Sequence, residues 1–277
     1  MSRRFNPIFA SLFIFGAILF AACAPTSTAV PALTAPAPRE LTVFAAASLT
    51  DAFQEMGQQF EANHPGVKVA FNFGASNALR TQLEQGARAD VFASANKTEV
   101  ENARKAGLTD TGGEIFTNNR LVVIVPSDNP GNVETLQDLA KPGLKFVMAE
   151  KGVPVGTYTL QMLDKMSADS EYGAEFGPTV LKNVVSQEQN VKAVVAKIAL
   201  GEADAGVAYV SDVTPDVVSK IKTIPVPDQF NQIASYPIVV LKDAPQSELA
   251  KEFVAFVLAA DGGQAILERW NFIPAQK

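Results

Sequence analysis

Cysteine and histidine each occur once in this chain of 277 residues, as Cys23 and His64, and that scarcity excludes several chemistries. A single cysteine forms no disulfide within the chain. One cysteine and one histidine, far apart in sequence, build no zinc cluster. His64 sits in the stretch ANHPG, between a helical and a strand-like pattern, which is the setting of a solvated turn residue. A serine-histidine triad therefore lacks its base unless His64 reaches Ser48 or Ser76. There is no glycine-rich phosphate loop with its lysine, the carboxylates show no general acid and base spacing, and no segment repeats at a fixed period. Basic runs are missing beyond the N-terminal segment and the net charge is −6. Nucleic acid is thereby disfavoured as a partner, because binding a phosphate backbone needs clustered Lys and Arg. An anion site in such a chain has to draw on local dipoles and hydroxyls.

What is present begins with an export segment. Residues 1–23 carry Arg3 and Arg4, an apolar run from Ile8 to Ala22, and then Cys23. The run is too short and one-sided for a permanent membrane span. Ala21 and Ala22 before Cys23 suggest a lipoprotein cleavage site at which the thiol is acylated, although Phe20 stands where such sites more often carry leucine. An ordinary secretory cleavage near Ala22 is the alternative. Residues 24–39, APTSTAVPALTAPAPR, are rich in Ala, Pro and Thr without a hydrophobic period and read as an extended linker. The expected location is the periplasm or the outer face of the cell membrane, with the chain anchored through Cys23.

Roughly 240 residues follow the linker, enough for a sizeable core, and the 47% hydrophobic content of the chain belongs to a globular protein. Short apolar, β-prone runs alternate with helical patterns, which predicts an α/β fold with parallel sheets covered by helices. Turn-rich segments at 110–119 and 225–232 divide the pattern into three blocks. If the closing block returns to the first, residues 40–118 plus 235–277 form one lobe and 119–234 a second, with a hinge and a ligand cleft between them.

Several strand-to-helix junctions carry candidate binding groups. In LTVFAAASLTDAF, residues 41–53, a short strand pattern runs through three alanines into Ser48, followed by helical spacing at Leu49, Ala52, Phe53 and Met56. Ser48 is thus an N-cap candidate, and a helix start that receives a cap also receives an anion. The junction FNFGASNALRTQL, residues 71–83, repeats this chemistry with Ser76 and Asn77. Two such junctions would place two hydroxyls and two helix starts at one sheet edge, where open α/β folds bind ligands. In VPVGTY the side chain of Val155 is inert, so only backbone N–H groups could meet a ligand there. Asn190 is a good N-cap that makes Val191 the first helical residue with a free N–H. Tyr209 ends the apolar run AGVAY, and a buried tyrosine at a strand end needs a partner for its hydroxyl. Asp212 reads as a helix cap.

Taken together, LTVFAAASLTDAF, FNFGASNALRTQLEQGARADVFASA, LVVIVP, VPVGTY, GVAYVSDV and YPIVV resemble the molybdate-binding proteins of bacterial and archaeal molybdate ABC transporters, over nearly all of residues 41–277. The resemblance implies a type II periplasmic-binding-protein fold and a non-catalytic receptor, a monomer without cofactor, that delivers molybdate, with tungstate competing, to a membrane permease. It implies oxyanion contacts from Ser48 and Ser76 through hydroxyl and backbone N–H, from Tyr209 through its phenol, and from Val155 and Val191 through backbone N–H. Val155 replaces an alanine found in familiar members, and Asn77 and Ala78 replace a more hydroxyl-rich stretch. No protein atom is expected to ligate the metal itself. Other readings are a receptor for sulfate or phosphate on the same fold and, more remotely, a secreted serine hydrolase using Ser48 or Ser76.

Overall fold

The computed structural model describes residues 39–275. The export segment, Cys23 and the linker up to residue 38 lie outside the described residues. Arg39, read as the last linker residue, instead opens the first strand, where its N–H donates to Gly66 O at 2.9 Å.

The chain runs β1 (Arg39–Ala46), α1 (Thr50–Asn63), β2 (Val67–Gly74), α2 (Ser76–Glu84), β3 (Val91–Ala93), α3 (Lys97–Lys105) and β4 (Glu114–Asn119). It continues through β5 (Leu121–Pro126), β6 (Phe146–Ala149), α4 (Pro154–Ala168), α5 (Phe176–Lys182), β7 (Val184–Glu188), α6 (Val191–Ala199), β8 (Ala205–Tyr209) and β9 (Ile221–Pro225). It closes with β10 (Ala234–Val240), α7 (Ser247–Leu258), α8 (Ala265–Arg269) and β11 (Ile273–Pro274). Two mixed sheets result, one ordered β11-β4-β10-β3-β1-β2 and the other β7-β6-β8-β5-β9. The chain passes from the first sheet to the second between Asn119 and Leu121 and returns between Pro225 and Ala234.

Strands β3, β5, β6, β8 and the second half of β1 are buried on both faces because helices cover both sides, so their side chains divide between two apolar layers. Leu41, Val43 and Ala45 of β1 join the layer of α1 and α7, while Phe44 faces Leu79 and Leu83 of α2. On α1 the apolar positions Ala52, Phe53, Met56 and Phe60 recur at helical spacing and are buried. Phe53 lies within 6.2 Å, ring to ring, of Phe71, Phe116 and Phe253, which ties α1 to β2, β4 and α7.

One expectation fails here. The segment 110–119, read as a turn-rich divider, contains β4, whose Phe116, Thr117 and Asn119 are buried. Only its first four residues, DTGG, lie outside the strand; the remainder, EIFTNN, is drawn into the sheet by pairing with β10 and β11. The strand β7 and the helices α5 and α8 are likewise additions to the sequence pattern, because they are short and their apolar periods incomplete.

Candidate functional site

Strand register explains how residues far apart in sequence converge. In the parallel β1/β2 pair the last residues, Ala46 and Gly74, are opposite one another. Ser48 and Ser76 each follow two residues later, so both stand beyond the same edge on neighbouring strands. In the second sheet Ala149 of β6 is opposite Glu188 of β7, and the chain then enters α4 and α6. Val155 and Val191 are thereby carried to one edge together with Tyr209 at the end of β8, which runs parallel to β6.

The structure brings all five of these residues, Ser48, Ser76, Val155, Val191 and Tyr209, around one small cavity to which both sheets contribute. About 20 Å³ of it is open to the centre of a water-sized sphere, against about 420–550 Å³ in four surface grooves. Such a cavity takes one compact solute. Its walls are kept low by Ala46, Ala47, Gly74, Ala75 and Ala95, and among the described residues no ionic side chain lines it. Asn77 is not among the lining residues. The described residues contain no cluster of three or more metal-ligating side chains and no helix long and apolar enough to cross a membrane.

The cap readings of the two serines need correction. A 3-10 turn over Ala47–Leu49 precedes α1, so Leu49 occupies the cap position and Ser48 makes no capping bond. Its hydroxyl instead lies 2.9 Å from Tyr236 Oη, and both side chains are buried. Ser76 is the first residue of α2, with Ala75 at the cap. Its Oγ accepts the Ala95 N–H at 2.9 Å. Since that bond occupies a lone pair, the Ser76 hydroxyl hydrogen remains available to the cavity.

Tyr209 Oη is buried and has no hydrogen-bond partner among the described residues. Burial drives its phenol pKa well above the usual value, and nearby Tyr236, Tyr158 and Asp212 push the same way. Tyr209 is therefore a neutral donor throughout the ordinary pH range. A buried, unpartnered hydroxyl costs roughly 1–3 kcal/mol, which a solute with an acceptor oxygen would recover.

The helix carrying Val155 begins earlier than its sequence suggests. Pro154, with φ already suited to the first helical position and no N–H to satisfy, starts α4 and puts Val155 at the second. The N–H groups of Val155 and Gly156 thus belong to the unpaired first turn. The chain doubles back so tightly that a Cβ on Gly156 would collide with the carbonyl oxygens of Ala149 and Glu150. Asn190 caps α6 as expected, its Oδ1 accepting the Ala193 N–H at 3.0 Å, which leaves the Val191 N–H at the cavity.

Lys192, next in the chain to Val191, belongs to an ion pair between helices of the two sheets. Lys192 Nζ of α6 stands 2.6 Å from Asp51 of α1 and 3.7 Å from buried Asp212. Burial alone would lower the Lys192 pKa, yet Asp212 and Asp51 hold it above its ordinary range. Asp212, read as a cap, does accept the Tyr209 N–H, at 3.2 Å. Burial pushes its carboxyl up to about 6, against the downward pull of Lys192 and that N–H. Asp51, Lys192, Tyr236 and Ala95 escaped sequence reasoning. Only the small-residue run FASA near Ala95 carried a signal.

His64 ends α1, stacked on Phe60 at 3.9 Å with Nδ1 bonded to Phe60 O at 2.8 Å. The 14 residues of α1 hold it about 20 Å from Ser48 at the other end, and the length of β2 separates it from Ser76. Neither serine has a histidine base.

Residues 41–273 match the family model for bacterial extracellular solute-binding proteins. The molybdate-binding protein ModA of Mycobacterium tuberculosis (strain ATCC 25618 / H37Rv) is 39% identical over 234 residues, covering 84% of this chain and 84% of that one. The periplasmic molybdate-binding protein of Azotobacter vinelandii superposes with a TM-score of 0.72 at 20% identity, over 85% of this chain and 100% of that one. The sulfate-binding protein SubI of Mycobacterium tuberculosis H37Rv does so with a TM-score of 0.77 at 18% identity, over 86% and 88%. These two structural likenesses show the fold, that of the periplasmic binding proteins.

Proposed function

This chain belongs to the bacterial extracellular solute-binding protein family, and from that membership we infer that it is an exported, non-enzymatic receptor that binds molybdate for an ABC transporter. The observation that carries this reading is the convergence of Ser48, Ser76, Val155, Val191 and Tyr209 on one small cavity lined by no ionic side chain among the described residues. We assign the oxyanion contacts to these five residues: the hydroxyls of Ser48, Ser76 and Tyr209, and the backbone N–H groups of the serines, Val155 and Val191.

A dianion in a chain of net charge −6 has to be held by preorganised dipoles, which helix starts supply. About six charge-assisted bonds of roughly 1.5–3 kcal/mol each offset an association cost of roughly 4–15 kcal/mol. Micromolar affinity, a surplus of about 8 kcal/mol, is reached when the bonds lie in the upper part of that range. Residues 40–118 plus 235–277 and residues 119–234, except Asn119 and Ala234, which pair with each other in the first sheet, act as two lobes that close on the solute, hinged at the two crossings. The receptor is a monomer, anchored through acylated Cys23, and hands its solute to a membrane permease. Tungstate competes because it has the same shape and charge.

Calorimetric titration of the purified protein with molybdate, tungstate and sulfate tests the reading. Saturable heat with molybdate and tungstate is expected, with sulfate much weaker. Heat with sulfate alone would move the protein to the sulfate receptors, and silence with all three would end the oxyanion reading.

A further inference from the structure

Ser48 acts on the cavity through a hydroxyl whose other side is occupied, and what occupies it decides which way its proton points. Behind Ser48 lies Tyr236 of β10, fully buried, with its Oη 2.9 Å from Ser48 Oγ. Tyr236 does not line the cavity. Its ring is fixed edge-to-face against Phe116, Tyr209 and Phe272 at 5.7–6.3 Å, so the hydroxyl has little freedom to turn elsewhere.

Behind Tyr236 in turn lies Asn119, the last residue of β4, also fully buried. Its Oδ1 accepts the Arg120 N–H at 3.0 Å, an obligatory donor, which fixes the orientation of the amide. The Nδ2 group therefore faces Ser211 Oγ at 2.7 Å and Tyr236 Oη at 3.5 Å. With an N–H directed at it, Tyr236 Oη accepts from Asn119 and gives its own proton to Ser48 Oγ. Ser48 then accepts from Tyr236, and its hydrogen is left to the cavity. Ser76 reaches the same condition by another route, through the Ala95 N–H.

We propose that Tyr236 and Asn119 are positioning residues: a one-way hydrogen-bond relay, Asn119 to Tyr236 to Ser48, that turns the Ser48 hydroxyl hydrogen towards the cavity. The proposal rests on the oxyanion reading of the cavity. With the Ser48 and Ser76 hydrogens both directed at the cavity, an oxyanion oxygen that still carries a proton is a poorer partner than a bare one. Rejection of protonated oxyanions thus depends on a tyrosine outside the cavity wall. Cutting the relay frees Ser48 to turn and accept.

The test compares wild type with Tyr236→Phe in the full chain, with thermal unfolding to verify the fold. Molybdate is titrated by calorimetry, and selenate and arsenate are competed against it at pH 7. Those two are nearly isosteric, but selenate is fully deprotonated whereas arsenate retains a proton. In Tyr236→Phe the molybdate Kd should rise about tenfold, and the preference for selenate over arsenate should fall by a similar factor. A folded Tyr236→Phe with molybdate affinity within about twofold of wild type and the same preference, or the same silence from both anions, overturns the relay. A wild-type protein that binds no molybdate overturns the receptor reading and the relay with it. Should Tyr236→Phe not fold, a neutron structure of the wild-type molybdate complex decides. A deuterium on Tyr236 directed at Ser48, with that of Ser48 directed at the oxyanion, supports the relay; the reverse order refutes it.

Discussion

Replacing Tyr209 by phenylalanine should move stability and binding in opposite directions. The Tyr209 hydroxyl is fully buried at the cavity with no partner among the described residues. Removing an unsatisfied buried hydroxyl relieves roughly 1–3 kcal/mol of desolvation. The ligand-free variant should therefore melt no lower than wild type, and by up to several degrees higher, at about 2–4 °C per kcal/mol for a chain of this size. Binding loses a hydrogen bond to a charged acceptor, about 1.5–3 kcal/mol, which raises the molybdate Kd roughly 10- to 150-fold. Because burial holds the phenol far above its usual pKa, the loss should be the same at pH 6 and pH 8. Calorimetry for Kd and differential scanning calorimetry without ligand provide both numbers from one preparation. A variant that melts lower than wild type yet binds molybdate equally well would refute the assignment, since it would make the hydroxyl structural and irrelevant to the solute.

Other expectations follow from the same geometry. Gly156→Ala should weaken molybdate binding by about tenfold or more, because the added methyl meets backbone carbonyls and displaces the start of α4, outweighing a helix-propensity gain of roughly 1 kcal/mol; titration alongside thermal unfolding measures both. Ser48→Ala should lose about 1 kcal/mol of stability with the Tyr236 bond and a larger amount of binding energy; equal losses in denaturant and binding experiments would make Ser48 purely structural. Asp212 should make stability pH-dependent. Its carboxyl is raised from 3.8 to about 6 in the fold, so between these values the native state binds more protons than the unfolded one. The associated stability is full below about pH 4 and declines as pH rises through about 6, by roughly 2–3 kcal/mol in all. Urea titrations across pH 4–8 should show this slope, and Asp212→Asn should flatten it.

Much of the site could be read from sequence because its groups sit at strand-to-helix junctions, where small residues and a hydroxyl or a cap leave a local signature. The alternation around Ser48, Ser76 and Asn190 was sufficient to bring helix starts to sheet edges. Local pattern could not say that a 3-10 turn would shift the cap from Ser48 to Leu49, because a one-residue change in helix start leaves the apolar spacing almost unaltered. Pro154 does carry such a signal, as a residue suited to the first helical turn. The layer behind the cavity was silent for a different reason. Tyr236 lies 188 positions from Ser48, and Asn119 ends a segment whose glycines and polar residues resemble a turn. Their partnership exists only after β4 and β10 have paired.

The paired ends of β1 and β2 have a consequence for how this receptor measures its solute. Ser48 and Ser76 follow adjacent strands whose last residues, Ala46 and Gly74, are in direct register, so the bases from which they rise are held at the spacing of the backbone ladder, about 4.8 Å. That spacing is a constant of the polypeptide, indifferent to repacking of the core. On this side the protein holds a fixed gauge, and fitting a larger or smaller oxyanion falls to the facing wall formed by α4, α6 and Tyr209.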